Sequence, residues 1–434
     1  MRISSLLAAI IICSCISSAI AQPNKVNVKY RRSSIYTIML DDAGLPKADT
    51  IKKAFLAAPV PDKYNNHNLA IKTFDPRQIV LIPEESKSKK DGVGKSFGKG
   101  VLSSTTGGLA DTTNVTDLPL KIEKFFKTNR TAAGMVAKWF NRSEKGAFDM
   151  TLIGERGSWD ATEMSANVAK KSVRGVASLA DAGEELIGNT FVVVTRFKYV
   201  NKEEIAAAAK NVFSRVEKYG GSTASSVAKV ASVGATVAAK GYVVQTTSYL
   251  YQLKWNDSIA AVFYQSYWMD DKSFDAKKKE AFDTTNLFSL ELIGTEKAWA
   301  DVQSSIFSKK SEEELVGIAT VNAVDAVIAK LQKKYDVFKT KTPIFTADPL
   351  TAKIGLKESL EKGDKFEVLE QQIDDKTGKT KYVRLGTIKV DGSKIWDNRY
   401  MAGVVSPVDS TIDRTLFKGG SSKYYEGLLI RQIK

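Results

Sequence analysis

The sequence predicts an α+β fold, a mixed sheet with flanking helices, followed by a small C-terminal all-β, barrel-like domain. Three observations predict it. Between residues 148 and 341, β-rich runs alternate with stretches of helical spacing. Asn-x-x-Glu and Ser-x-x-Glu pairs stand where helices should begin. After about residue 349 the helical spacing disappears and short β runs separated by polar turns replace it.

Residues 1–21 read as a cleavable secretory leader. Arg2 supplies the positive start, residues 6–12 are an apolar run, and Ala19-Ile20-Ala21 matches the small-x-small cleavage pattern. The run is too short to span a bilayer, which takes about 20 residues as a helix. The other reading is a lipoprotein carrying its lipid on Cys15, after Ile12-Cys13-Ser14. Residues 22–83 form an N-terminal region with one short helix expected at 47–58 and a strand at 78–83. Residues 84–116 are Lys-, Gly-, Ser- and Thr-rich and read as a flexible insertion.

The predicted α/β domain spans 117–345. Residues 148–153 read as a strand ending at Gly154, and Asp160 with Glu163 caps a helix bearing Met164, Val168, Val176 and Leu179. A strand is expected at 190–200 and a helix at 203–219, capped by Asn201 and Glu204. Ala224, Ala228, Ala231, Ala235 and Ala238 then form a small-residue stripe, read as a closely packed soluble helix. Residues 242–255 and 259–268 alternate aromatic and polar residues around Asn256-Asp257, which predicts a β-hairpin. A strand at 287–293, a helix from Ser311 and Glu314 to Lys334, and a strand at 335–341 before Pro343 complete the domain. Leu152-Ile153-Gly154 with Trp159 is echoed by Leu292-Ile293-Gly294 with Trp299, the spacing of a repeated βα unit. The β domain occupies 346–434, with strands expected at 365–372 and 382–390, near Met401, and at 425–433.

Composition narrows the chemistry. Both cysteines, Cys13 and Cys15, lie in the leader, so the mature chain would hold no disulfide, thiolate nucleophile or Cys-ligated metal. His67 is the single histidine, in the polar run Tyr64-Asn65-Asn66-His67-Asn68, and reads as an exposed loop residue. A Ser-His-Asp triad or a His zinc site would have to use it. No cofactor and no metal are expected. The net charge is +15, or one less without Arg2. In an exported protein that excess points to envelope proteins or to anionic polymers, such as cell-wall polymers, lipid headgroups and acidic glycans. The lysines lack interleaved aromatic platforms, so nucleic acid is not an expected partner. No transmembrane helix is expected in the mature chain, and oligomerisation is left open.

Gly94-Lys95-Ser96 resembles the end of a phosphate loop, but Lys89 stands where that loop needs glycine and the following residues are poor helix formers. The acidic pairs Glu184-Glu185, Asp270-Asp271 and Asp374-Asp375 are sequence neighbours at helix ends or turns, where carboxylates are ordinary and point apart. The acidic turn at 374–379 lacks the alternating ligands of a calcium loop. Asn114, Asn129 and Asn141 match the glycosylation acceptor pattern, which would be incidental if the chain were a bacterial envelope protein.

The stretch 166–200, an Ala-rich helix running into Gly188-Asn189-Thr190-Phe191-Val192-Val193-Val194, resembles the periplasmic α/β domains of the CsgG, LpoB and FlgT-like group. Residues 355–368 are similar to the C-terminal β module of FlgT-like proteins. The Ala-x-Ala leader and the Ala21-Gln22 junction also resemble secreted proteins of Bacteroidetes. The resemblance, over 148–434, implies an envelope assembly or scaffolding role without catalysis in the periplasm or at the outer membrane. The hairpin aromatics Tyr249, Tyr251, Trp255, Tyr264 and Trp268 are the candidate binding surface. A carbohydrate-binding or glycoside-hydrolysing protein is the alternative, and requires those rings on an exposed concave face.

Overall fold

A computed structural model describes residues 30–42, 44–82, 117–158, 185–201, 241–303, 310–374, 380–405, 409 and 411–433. The leader, the insertion, Gly94-Lys95-Ser96, Asn114, Trp159, the helices expected at 160–179 and 203–219, and the alanine stripe all lie outside them.

The chain forms an α+β protein of two sheets. Strand β1 (Ser33–Leu40) lies inside the first, pairing in parallel with β2 (Tyr64–Asn66) and β3 (Thr73–Phe74) on one side and β4 (Thr190–Asn201) on the other. β5 (Gly241–Leu253) and β6 (Leu290–Gln303) extend it antiparallel from β4. The N-terminal region therefore supplies a central strand of the sheet. β1 is buried on both faces, so it reads as the near-continuous run Ile35-Tyr36-Thr37-Ile38-Met39-Leu40 instead of alternating.

The pleat sends alternate side chains to two cores. Tyr36, Ile38, Val192, Val194, Tyr249 and Tyr251 meet α2 (Leu118–Thr128), α3 (Thr131–Trp139), α4 (Thr151–Ser158), α5 (Asp257–Ser266) and α6 (Ala276–Thr284). Ile35, Met39, Phe191, Val193 and Leu250 meet α1 (Ala48–Ala57) and α7 (Glu312–Lys334) on the other face. The predicted capping box opens α7: Ser311 Oγ accepts from the Glu314 amide, and the Glu314 carboxylate accepts from the Ser311 amide. No helix among the described residues is long and apolar enough to cross a membrane.

Six short strands close on themselves as the second sheet: β7 (Thr342–Ala347), β8 (Leu350–Ala352), β9 (Lys365–Ile373), β10 (Thr380–Val390), β11 (Thr415–Lys418) and β12 (Leu429–Gln432). Ile344, Phe366, Val368, Ile388, Phe417 and Ile430 fill its interior.

Several elements differ from expectation. Residues 148–153 are not a strand: Asp149 Oδ1 accepts from the Thr151 amide at 2.8 Å and starts α4. Half of the expected hairpin is helix α5, because Asn256 Oδ1 accepts from the Ile259 amide at 3.0 Å and acts as an N-cap, not a turn residue. Ile259 and Phe263, four apart, then bury one stripe. The expected strand at 78–83 is not a strand among the described residues: Pro76–Gln78 is a 3-10 turn, and Val80 is 74% exposed. Strand β6 continues through Gly294, which faces the Tyr335 phenol where a Cβ would collide. Asp336–Phe338 is a 3-10 turn, Pro343 lies inside β7, and Ala402–Val405 is a short helix. The Leu-Ile-Gly echo is no repeat, since its first copy is on α4 and its second on β6.

Candidate functional site

The expected aromatic surface folds inward. Tyr249 and Tyr251 point from β5 into the helical layer and are 2% and 0% exposed. Tyr251 meets Phe126 edge-on at 5.0 Å, and burial raises its hydroxyl pKa well above the ordinary value. Trp268 stacks on Phe148 at 6.0 Å and Tyr264 packs against Phe140 at 6.0 Å. Tyr264 is 37% exposed and keeps one edge in solvent. Tyr249 and Tyr251 serve as core because period-2 alternation on β5 aims them at the helical layer, whose sequences do not announce that they cover that face. Trp255 alone also lines a surface groove.

His67 corrects a second expectation. It is fully buried, stacked on Trp139 at 5.0 Å, with Nε2 donating to Met135 O at 2.9 Å. Arg156 donates to Nδ1 at 3.0 Å, and to Ser34 Oγ and Asn66 O, while its guanidinium lies 4.5 Å over the Trp139 ring. Trp139 Nε1 donates to Thr190 Oγ1 at 2.9 Å. Burial pushes His67 down to about 3, with the charges of Arg156 and Lys138 acting the same way. Both ring nitrogens are engaged in tying β2, α3 and α4 together, which leaves neither for proton transfer. The exposed-loop reading failed because the polar neighbours of His67 reflect the sheet edge, not the direction of the ring.

The acidic pairs remain turn residues where they are described. Asp270 accepts from Ser273 Oγ at 2.7 Å and from the Lys272 amide, and the Ser273 hydroxyl lowers its pKa. Asp374 pairs with Lys381 at 3.6 Å. Glu185 is different: it lies on the seam between the two sheets and accepts from Tyr382 Oη at 3.3 Å. Among the described residues, no group of His, Cys, Asp and Glu has an arrangement that could hold a metal ion.

The seam carries the chemistry that the chain collects from distant segments. A cleft of about 200 Å³ is lined by Arg32, Lys63, Lys339, Lys341 and Arg431, with Asp336 its single carboxylate. Arg32 precedes β1 and is 7% exposed. Lys339 and Lys341 come from the link between α7 and β7, and Arg431 from β12, where Glu367 holds it at 2.6 Å. Lys339 pairs with Asp336 at 2.6 Å, and that ion pair lowers the Asp336 carboxyl. Lys63 is held by Glu358 at 3.6 Å, and burial lowers its pKa. Five cations and one carboxylate line the cleft, and Glu358 and Glu367, outside the lining, pair with Lys63 and Arg431, so an excess of positive charge remains. Lysine scatter hid it: these positions are spread from residue 32 to residue 431, and only Lys339 and Lys341 form a local cluster in the sequence.

A second recess of about 340 Å³ adjoins it, lined by Glu185, Asn189, Gln252, Lys254, Trp255 and Glu291. Asn189 borders both. Behind the cleft, Asp325 on α7 is 9% exposed and meets Lys357 Nζ at 3.8 Å, joining α7 to the turn Leu356–Glu358. Desolvation raises its carboxyl to about 7 despite the Lys357 charge, and the neighbouring Glu358 and Asp62 push the same way. Compared with known proteins, the chain matches no family model and no curated protein.

Proposed function

We propose that this chain is a non-enzymatic cell-envelope protein that holds an anionic partner at the seam of its two sheets. The observation that carries the reading is the basic cleft, with five cations around one carboxylate in about 200 Å³. The predicted leader supports the compartment, and the committed nitrogens of His67 support a role without acid–base chemistry. The resemblance to the CsgG, LpoB and FlgT-like group favours an assembly or scaffolding role at the envelope.

The test is isothermal titration of the full chain with inorganic polyphosphate in about 50 mM and about 300 mM NaCl. Binding that weakens about tenfold or more across that range, and again in Lys339→Gln/Lys341→Gln, supports the reading. Binding indifferent to both changes would refute it.

A carbohydrate-binding reading is favoured by a separate observation. Trp255, Asn189, Gln252 and the carboxylates of Glu185 and Glu291 share the second recess, an aromatic side with planar polar groups. This is a different surface from the buried tyrosines first nominated, and only Trp255 is common to both.

A further inference from the structure

We propose that the two recesses form one site for an acidic saccharide, a sugar carrying a carboxylate or phosphate; the proposal rests on the anion-binding reading above. The recesses are neighbours by construction. Asn189 borders both, and a hydrogen-bonded chain bridges them: Tyr382 Oη donates to Glu185 in the groove at 3.3 Å and meets Tyr30 Oη at 2.8 Å in the cleft. Lys341, also in the cleft, sits 3.7 Å over the Tyr382 ring.

Their chemistry is complementary along that line. The cleft carries five cations against the carboxylates of Asp336, Glu358 and Glu367, whereas the groove holds two carboxylates and one lysine. An anionic group is therefore drawn to the cleft and repelled from the groove, which fixes the direction of any ligand with one charged end. The groove offers what hydroxyls need. Gln252 Nε2 donates to Gly188 O at 2.8 Å, which holds its amide group at the groove wall. The side chains of Asn189 and Glu291 have no hydrogen-bond partner among the described residues, leaving one amide and one carboxylate for sugar hydroxyls. Trp255 is half-buried, its ring braced by Phe140 at 5.8 Å and Phe263 at 5.7 Å, so it offers a rigid apolar side at little entropic cost.

A simple anion can use only the cleft, and a neutral sugar only the groove. An acidic saccharide gains both, so it binds more tightly than either. The experiment titrates the full chain with tetragalacturonate, mannose 6-phosphate, cellotetraose and inorganic phosphate at about 50 mM NaCl. One of the acidic saccharides should bind about tenfold or more tightly than both cellotetraose and inorganic phosphate. The uronate and phosphate arms decide which anion the cleft takes. Glu291→Ala should weaken that saccharide about threefold to tenfold and leave inorganic phosphate unchanged, while Lys339→Gln should weaken both. Acidic saccharides no tighter than inorganic phosphate, or a silent Glu291→Ala, would overturn this inference and leave the anion reading intact. Failure of every anionic probe to bind would remove both.

Discussion

Asp325 and His67 set opposite pH dependences of stability, and Asp325→Asn separates them. The folded state holds the Asp325 carboxyl at about 7 against 3.8 for an ordinary aspartate. Between those values the folded chain keeps a proton that the unfolded chain has lost, so stability falls as pH rises, by up to ~4 kcal/mol at ~1.4 kcal/mol per pH unit. His67 acts the other way. Its pKa falls from 6.5 to about 3 on folding, so the unfolded chain binds the extra proton and stability is lost as pH falls through that window, by up to ~5 kcal/mol. Between about pH 4 and pH 6.5 each state carries one of these two protons, and their contributions to the slope cancel. Asp325→Asn keeps the shape and cannot ionise. It should therefore restore the His67 slope, making stability rise with pH. The quantity to measure is the stability difference between variant and wild type, from urea unfolding followed by tryptophan fluorescence at half-unit steps from pH 4.5 to 7. That difference should grow in favour of the variant by ~1.4 kcal/mol per unit, with Lys357, Lys63, Glu358 and Asp62 unchanged around it. A difference constant across the range would show that the carboxylate does not titrate there, and the buried-acid argument would fail.

The remaining predictions concern packing, capping and the cleft. Gly294→Ala should cost ~2 kcal/mol or more in a chemical melt, because its Cβ meets the Tyr335 phenol that receives the Thr295 amide at 3.2 Å; a neutral effect would show that the phenol moves freely. Ser311→Ala removes the side-chain half of the α7 capping box and should cost ~1 kcal/mol, whereas Ser311→Asp should restore most of it. Trp139→Phe leaves Thr190 Oγ1 without its indole donor and loses ring volume beneath Arg156 and His67, so a loss of ~2 kcal/mol is expected; a loss under ~0.5 kcal/mol would mean that water replaces the indole. Asp336→Asn removes the one carboxylate of the basic cleft and should tighten polyphosphate binding about threefold at low salt, an effect that titration in about 300 mM NaCl should erase.

Where local chemistry dominates, the fold was legible from residue order. The α7 cap needs only Ser311 and Glu314 three apart, and the pairing of β9 with β10 needs only two β runs and a short turn. Strand β4 announced itself through Thr190-Phe191-Val192-Val193-Val194, an apolar run suited to burial on both faces. Where one motif serves two structures, order misled. Asn256-Asp257 fits a hairpin turn and a helix start equally well, and the outcome depends on whether Ile259 and Phe263 find an apolar layer to enter.

By itself the sequence determined the α+β class, the +15 charge and the confinement of both cysteines to residues 13 and 15, because composition and short-range periodicity do not depend on distant partners. Tertiary structure alone decided which side chains meet. It turned Tyr249 and Tyr251 into core and closed His67 between Met135 and Arg156. It also gathered Arg32, Lys63, Lys339, Lys341 and Arg431 around one cleft. The physical reason is that burial and electrostatic convergence are properties of separations through space. Residues hundreds of positions apart carry no local trace of the neighbour that folding will give them.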